Sequence, residues 1–304
     1  MRIGLNGAAR TVDEIVEHAV AAEAAGFSSL WFTSQVMGDP LVAIALAGRA
    51  TTRIELGTAV LQTYTCHPVL MARRAAAVAM AMARTGFTLG LGPSHAPLIE
   101  PLGFAYDHPG RHTEEYLRVV TAALHGDDAS IDGNEFRIDA PAGAAADPPV
   151  TVLLAALGGR TLRVAGETAD GTVLWLANTR ALESHVVPRI SAAATAAGRP
   201  APRVVAGLPV AVHDDVDEAL AVAAEQFAFY GSLPNYVRIL ERGGVSAPAD
   251  TAVVGDEAAV AAQVRALFDA GATDVWAAVF GVGSDRRASR ERTRALLAEL
   301  ATGD

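Results

Sequence analysis

The stretch Leu157-Gly158-Gly159-Arg160-Thr161 opens a helical segment, and its residue types suit the capture of an anion. Two glycines let the backbone approach a ligand closely. The first turn of a helix presents unpaired N–H groups and the positive end of its dipole. Arg160 adds a charge-assisted hydrogen bond and Thr161 a hydroxyl. Phosphate is the expected anion; the other reading is a plain tight turn between strand and helix. His95 ends Gly90-Leu91-Gly92-Pro93-Ser94-His95, where a histidine can exchange protons near neutral pH or be an ordinary loop residue. In Gly57-Thr58-Ala59-Val60-Leu61-Gln62-Thr63, small residues leave room for a flat ring system.

Other chemistry is less well provided for. Gly90-Leu91-Gly92 lacks the third glycine of a dinucleotide fingerprint. His108 and His112 straddle Pro109-Gly110, which does not present them as metal ligands on one helical turn. His67 precedes Pro68 at a helix start, and His18 and His125 read as helix-surface residues. No nucleophile elbow or Ser-His-Asp order occurs. Cys66 is the one cysteine, so neither an intrachain disulfide nor a thiol cluster for metal is expected. A formal charge of −10 argues against a general nucleic-acid binder. The first residues read as a strand and not as a leader, and no apolar stretch is long enough for a bilayer, so a cytoplasmic protein is expected.

These residues must be positioned by regular elements, and the periodicity supplies them. Apolar runs at Arg2 to Asn6, Ser28 to Phe32, Arg53 to Val60, Gly86 to Leu91, Thr151 to Ala155, Gly171 to Trp175, Arg203 to Val212 and Asp274 to Phe280 read as strands. Helical stretches follow each, the first with Thr11 and Glu14 as a capping box. Eight strand–helix units over 304 residues predict an α/β fold, a (β/α)8 TIM barrel forming a single domain over residues 1–304, with a doubly wound open sheet as the alternative.

Three segments exceed ordinary connectors: Ala96 to Gly110, Gly126 to Pro149 and Phe229 to Gly255. The first and third, insertions after strands 4 and 7, are expected to be lids, and the second to hold a hairpin around Ile131 to Ile138. Phe229, Tyr230, Leu233 and Tyr236 suggest an apolar or aromatic ligand. Helices 2 (Pro40 to Ala50) and 3 (Pro68 to Ala83) are apolar almost all round, so a homodimer through them is expected.

The same segments resemble the luciferase-like monooxygenase family, and within it the coenzyme F420-dependent oxidoreductases. The matching stretches are Ala21 to Trp31, Leu56-Gly57-Thr58-Ala59-Val60, His67-Pro68, Gly86 to Gly92, and Gly158 to Gly171 with its Ala165-Gly166-Glu167-Thr168-Ala169-Asp170-Gly171. They span most of the chain in the family's order. The resemblance implies an isoalloxazine-like ring at the C-terminal mouth of a barrel. Its phosphate would be held by Gly158, Gly159, Arg160 and Thr161. Ala59, Val60, Gln62, Ser94 and His95 would lie near the ring or its side chain, with a cis peptide at Ala59–Val60.

Many deazaflavin-dependent relatives place an Asp-His pair after the second strand, where this chain has Ser34-Gln35. Gln35 and His95 are therefore the catalytic candidates, and no metal is implied. The leading expectation is a coenzyme F420-dependent oxidoreductase that moves a hydride between the deazaflavin and a small organic substrate. Its alternatives are an FMN-dependent monooxygenase, which would consume dioxygen with reduced FMN, and a non-catalytic cofactor-binding barrel, which would bind without turnover.

Overall fold

The computed structural model describes residues 1–7, 11–33 and 38–303. Its centre is eight parallel strands: β1 (Ile3–Gly7), β2 (Ser29–Phe32), β3 (Glu55–Thr58), β4 (Phe87–Gly92), β5 (Thr151–Leu154), β6 (Gly171–Trp175), β7 (Arg203–Val212) and β8 (Asp274–Val279). Each pairs with the next, and β8 returns to β1 with Ile3 opposite Val275. The sheet is thus a closed barrel, which excludes the open doubly wound alternative.

Around it lie α1 (Val12–Ala24), α2 (Pro40–Ala50), α3 (Pro68–Met82), α4 (Pro109–His125), α5 (Gly159–Thr168), α6 (Val187–Ala196), α7 (Glu257–Asp269) and α8 (Arg286–Thr302). Local chemistry sets their starts. Thr11 and Glu14 form the capping box of α1, with the Glu14 N–H donating to Thr11 Oγ1 at 3.2 Å. Asp39 caps α2 by accepting from Leu41 N–H, and Pro40 takes the first helical position, where its missing N–H costs nothing.

The barrel is stoppered at its N-terminal end by charge. Asp274 is 1% exposed and accepts from Arg2 Nε and Arg203 Nη2, both at 2.7 Å. Glu55 completes the ring, bonded to the same two arginines and to Thr88 Oγ1. Burial works against the ionised Asp274, but the bonds from Arg203, Thr273 and the nearby Arg2 outweigh it and hold its pKa down. Above this layer sit Trp31, Leu153, Val173, Val205 and Trp276, facing one another inside the barrel. Glycines admit the large rings: a Cβ at Gly57 would lie 2.6 Å from the Trp31 ring.

β3 does not run straight through. The Ala59–Val60 peptide is cis, as the resemblance implied, and the chain then rejoins β4 through Leu61–Gln62. Gly57 pairs with Thr88 and Leu61 with Leu91, so β3 carries one extra residue, a bulge at the barrel rim. Thr58 bridges the gap, its Oγ1 bonded to both the N–H and the carbonyl of Gly90 at 2.8 Å.

The long connections contain regular structure of their own. The segment after β7 folds into helices Val216–Phe227 and Pro234–Arg242 and a strand, Val253–Gly255, that extends the sheet beside β7. Between α4 and β5, Ile131–Asp132 and Arg137–Ile138 form the expected hairpin. Its turn is held by buried Glu115, which accepts from the N–H groups of Asn134, Glu135 and Phe136. On the outside, Val42 and Leu46 of α2 and Leu70 and Met80 of α3 are exposed. Among the described residues, no helix is long and apolar enough to cross a membrane.

Candidate active site

The C-terminal mouth of the barrel holds a cavity of about 280 Å³. Its walls are contributed by the ends of several strands, the position where a barrel's loops converge. Ala59 and Val60 come from the bulge, Gly92 to His95 from the end of β4, Ala155 to Gly158 from the end of β5, and Trp175 and Trp276 from β6 and β8. Tyr106, Pro109 and Gly110 close one side, Asn235 and Tyr236 another. Gly92 lets Val60 and Ala155 close in beside it: a Cβ there would fall 2.9 Å from Val60 Cγ2 and 3.1 Å from Ala155 Cβ.

The residues expected to bind an anion lie at its rim. Gly158 precedes α5, and the first N–H to close a helical bond is that of Leu162, on the Gly158 carbonyl at 2.9 Å. The N–H groups of Gly159, Arg160 and Thr161 come before the ladder begins and are left for a ligand. Gly158 N–H donates to Thr161 Oγ1 at 3.2 Å. Arg160 reaches back to α4, its Nη2 2.8 Å from Glu114 Oε2, and its side chain is half exposed.

Other charge is nearly absent. Among the described residues lining the cavity, Arg160 is the one guanidinium and no carboxylate occurs. His95 is half-buried, and burial lowers its pKa, which keeps the ring neutral near pH 7. It packs against Tyr236 with ring centroids 5.4 Å apart. Burial pushes the Tyr106 and Tyr236 hydroxyls up, so both stay protonated.

Ala59, Val60, Ser94, His95, Gly158, Arg160 and Thr161 are thus brought around one cavity. Gln62 and Gly159 stand just behind it: Gln62 Nε2 donates to Ser94 Oγ at 3.2 Å, and Gly159 begins α5. Gln35 lies outside the described residues. His112 is buried, stacked on Tyr64 with centroids 3.9 Å apart and bonded to Thr63 Oγ1. His18 differs from the surface residue expected: its Nε2 is buried with no hydrogen-bond partner among the described residues, and burial lowers its pKa. Among the described residues, no cluster of three or more His, Cys, Asp or Glu side chains could hold a metal.

The aromatic residues Trp175, Trp276 and Tyr106 line the cavity without having been singled out from the sequence as site residues. Trp175 ends β6 and was detectable from the rule that strand ends at the C-terminal face carry function. Trp276 stacks on it, 5.1 Å between centroids and 24° apart, but lies mid-strand, where only the parity of inward-facing residues marks it. Tyr106 lies in Ala96 to Gly110, the segment expected to wall the pocket, but nothing in its aperiodic sequence marked this residue within it.

A closed parallel barrel with an apolar cavity and a glycine-led helix start at its C-terminal mouth places the chain among barrels that build their sites at that face. The profile of the luciferase-like monooxygenase family matches residues 2–301, and the chain belongs to that family. It is 32% identical over 293 residues to an F420-dependent hydroxymycolic acid dehydrogenase of Mycobacterium tuberculosis, covering 86% of this chain and 77% of that one. It is 28% identical over 247 residues to a 5,10-methylenetetrahydromethanopterin reductase of Methanolobus tindarius, covering 80% of this chain and 74% of that protein. Among solved structures, the coenzyme F420-dependent tetrahydromethanopterin reductase of Methanopyrus kandleri superposes with a TM-score of 0.78 at 21% identity, covering 98% and 97% of the two chains.

Proposed function

We propose that this chain, one barrel domain, is a coenzyme F420-dependent oxidoreductase acting on a small organic substrate. The observation that carries the reading is the cavity itself: a mostly apolar cleft at the barrel mouth whose rim offers a helix start and a single guanidinium, with no carboxylate among its described lining residues. That donor set fits a tricyclic ring with a ribityl phosphate. The relatives named for F420 favour the deazaflavin over FMN.

Gly158, Gly159, Arg160 and Thr161 would hold the phosphate, and Ala59, Val60, Gly92 and Ala155 would flank the ring. When bound, the deazaflavin supplies the carbon that gives or takes the hydride. The protein's own share is orientation and water exclusion, with Trp175, Trp276 and Tyr236 as apolar walls. His95 is placed to exchange a proton, neutral and able to hold one at either ring nitrogen.

The exposed apolar residues of α2 and α3 are proposed to pair with those of a second copy, giving a homodimer. The free thiol of Cys66 suits a reducing cytoplasm. Titration of the purified protein with F420 and with FMN, followed by fluorescence, tests the cofactor assignment. F420 is expected to bind in the micromolar range or tighter, and Arg160→Ala to weaken it about tenfold or more. Saturation by FMN alone, with dioxygen uptake by the reduced form, overturns it.

A further inference from the structure

A buried histidine stands directly behind the anion-binding turn. After β6, the chain makes one wide π-type turn, Leu182–Val186, before α6. Pro188 follows closely and has no N–H to contribute, which opens a helical ladder in this way. The wide turn carries His185 inward, to 1% exposure. Its Nε2 donates to the Leu157 carbonyl at 2.9 Å. A carbonyl only accepts, so Nε2 holds the proton and Nδ1 is bare. Nδ1 is buried and has no hydrogen-bond partner among the described residues.

We propose that His185 is a positioning residue that locks the Leu157–Gly158 peptide in the orientation the cofactor phosphate requires. This rests on the reading of the turn as the phosphate site. In a planar trans peptide the N–H and the carbonyl point opposite ways. With the Leu157 oxygen drawn back to His185, the Gly158 N–H faces Thr161 Oγ1. Rotated by half a turn, the same peptide would direct a carbonyl oxygen toward the helix start, where the anion is to sit. Two successive glycines oppose that rotation weakly, and a Cβ at Gly159 would meet nothing within 4 Å. Thr161 holds the Gly158 side of this peptide from within the turn, and His185 is the side chain that holds its Leu157 oxygen from outside. Burial lowers the His185 pKa; the Leu157 bond works against this, and Arg242 and Arg189 reinforce it, so the ring stays neutral near pH 7.

The test compares deazaflavin mononucleotide with its phosphate-free ribityl deazaflavin, each titrated by fluorescence. The proteins are wild type, Arg160→Ala, His185→Ala, His185→Phe and His185→Gln. Wild type is expected to prefer the phosphate form. In His185→Ala and His185→Phe that preference falls roughly 3- to 10-fold, the effect of one lost hydrogen bond, while affinity for the phosphate-free form stays within about 2-fold. Phenylalanine fills the space without donating, so the comparison survives an alanine variant that does not fold. His185→Gln, whose amide reaches the same oxygen, recovers most of the preference. If the His185 variants keep the wild-type preference while Arg160→Ala loses it, the role of His185 is overturned and the phosphate site stands. Equal weakening for both ligands overturns it too, as general loosening of the fold. A wild type without preference overturns the phosphate site itself.

Discussion

The Tyr106 hydroxyl donates to the Ser94 carbonyl at 2.6 Å and so ties the loop after β4 to the end of that strand. Ser94 has φ of 61°, a left-handed conformation that a non-glycine residue keeps only when its surroundings hold it. Gln62 holds the same residue from β3's side through its Oγ. Tyr106→Phe removes one hydroxyl and nothing else. It is expected to weaken cofactor binding by ~1 kcal/mol, about 5-fold in Kd, through loss of this one bond. Fluorescence titration reads this directly, and an unchanged Kd would show that the loop is held by packing alone.

The ionic stopper at the barrel floor gives a prediction in pH. Asp274 has its pKa held below the ordinary aspartate value, so the stability it contributes is complete above ~3.9 and lost as pH falls through the lower folded value. Asp274→Asn leaves Glu55 as the one carboxylate that Arg2 and Arg203 share and is expected to cost ~2 kcal/mol near pH 7. Denaturant melts of both proteins from pH 7 downward should show the gap narrowing below about pH 4. A gap that stays constant into strong acid would rule out the ionised carboxylate as its source.

Two glycines should respond to alanine in opposite ways. A Cβ at Gly90 would overlap the Thr58 carbonyl oxygen, which belongs to the bulge and cannot move aside, whereas a Cβ at Gly159 meets open space. Gly90→Ala is expected to cost more than ~3 kcal/mol, and Gly159→Ala to stay within ~0.5 kcal/mol of wild type. Thermal unfolding of the two variants side by side decides it.

The outer faces of α2 and α3 carry Leu46 and Met80, 47% and 67% exposed. If a second copy covers them, Leu46→Glu with Met80→Glu should convert a dimer into a folded monomer, because a charge cannot be buried there without a partner. Sedimentation of both proteins gives the masses; a wild type that is already monomeric removes the interface.

The strands were legible because short apolar runs such as Gly171 to Trp175 stand between helical periods, and the start of α5 because Gly158-Gly159-Arg160-Thr161 combines backbone access with charge. Legibility failed where a role depends on tertiary neighbours. Val253–Gly255 is three residues long and becomes a strand only beside β7. His185 reads as one more helical residue until the wide turn aims it at Leu157. Trp276 looks like any core tryptophan until Trp175 is placed against it.

The salt-bridged stopper also bears on traffic. With Arg2, Glu55, Arg203 and Asp274 interlocked across the far end and Trp31 and Trp276 packed above them, the described residues close the barrel on that side. Whatever occupies the cavity is therefore reached from the C-terminal side, and the floor serves to hold the strands and not to pass ligands.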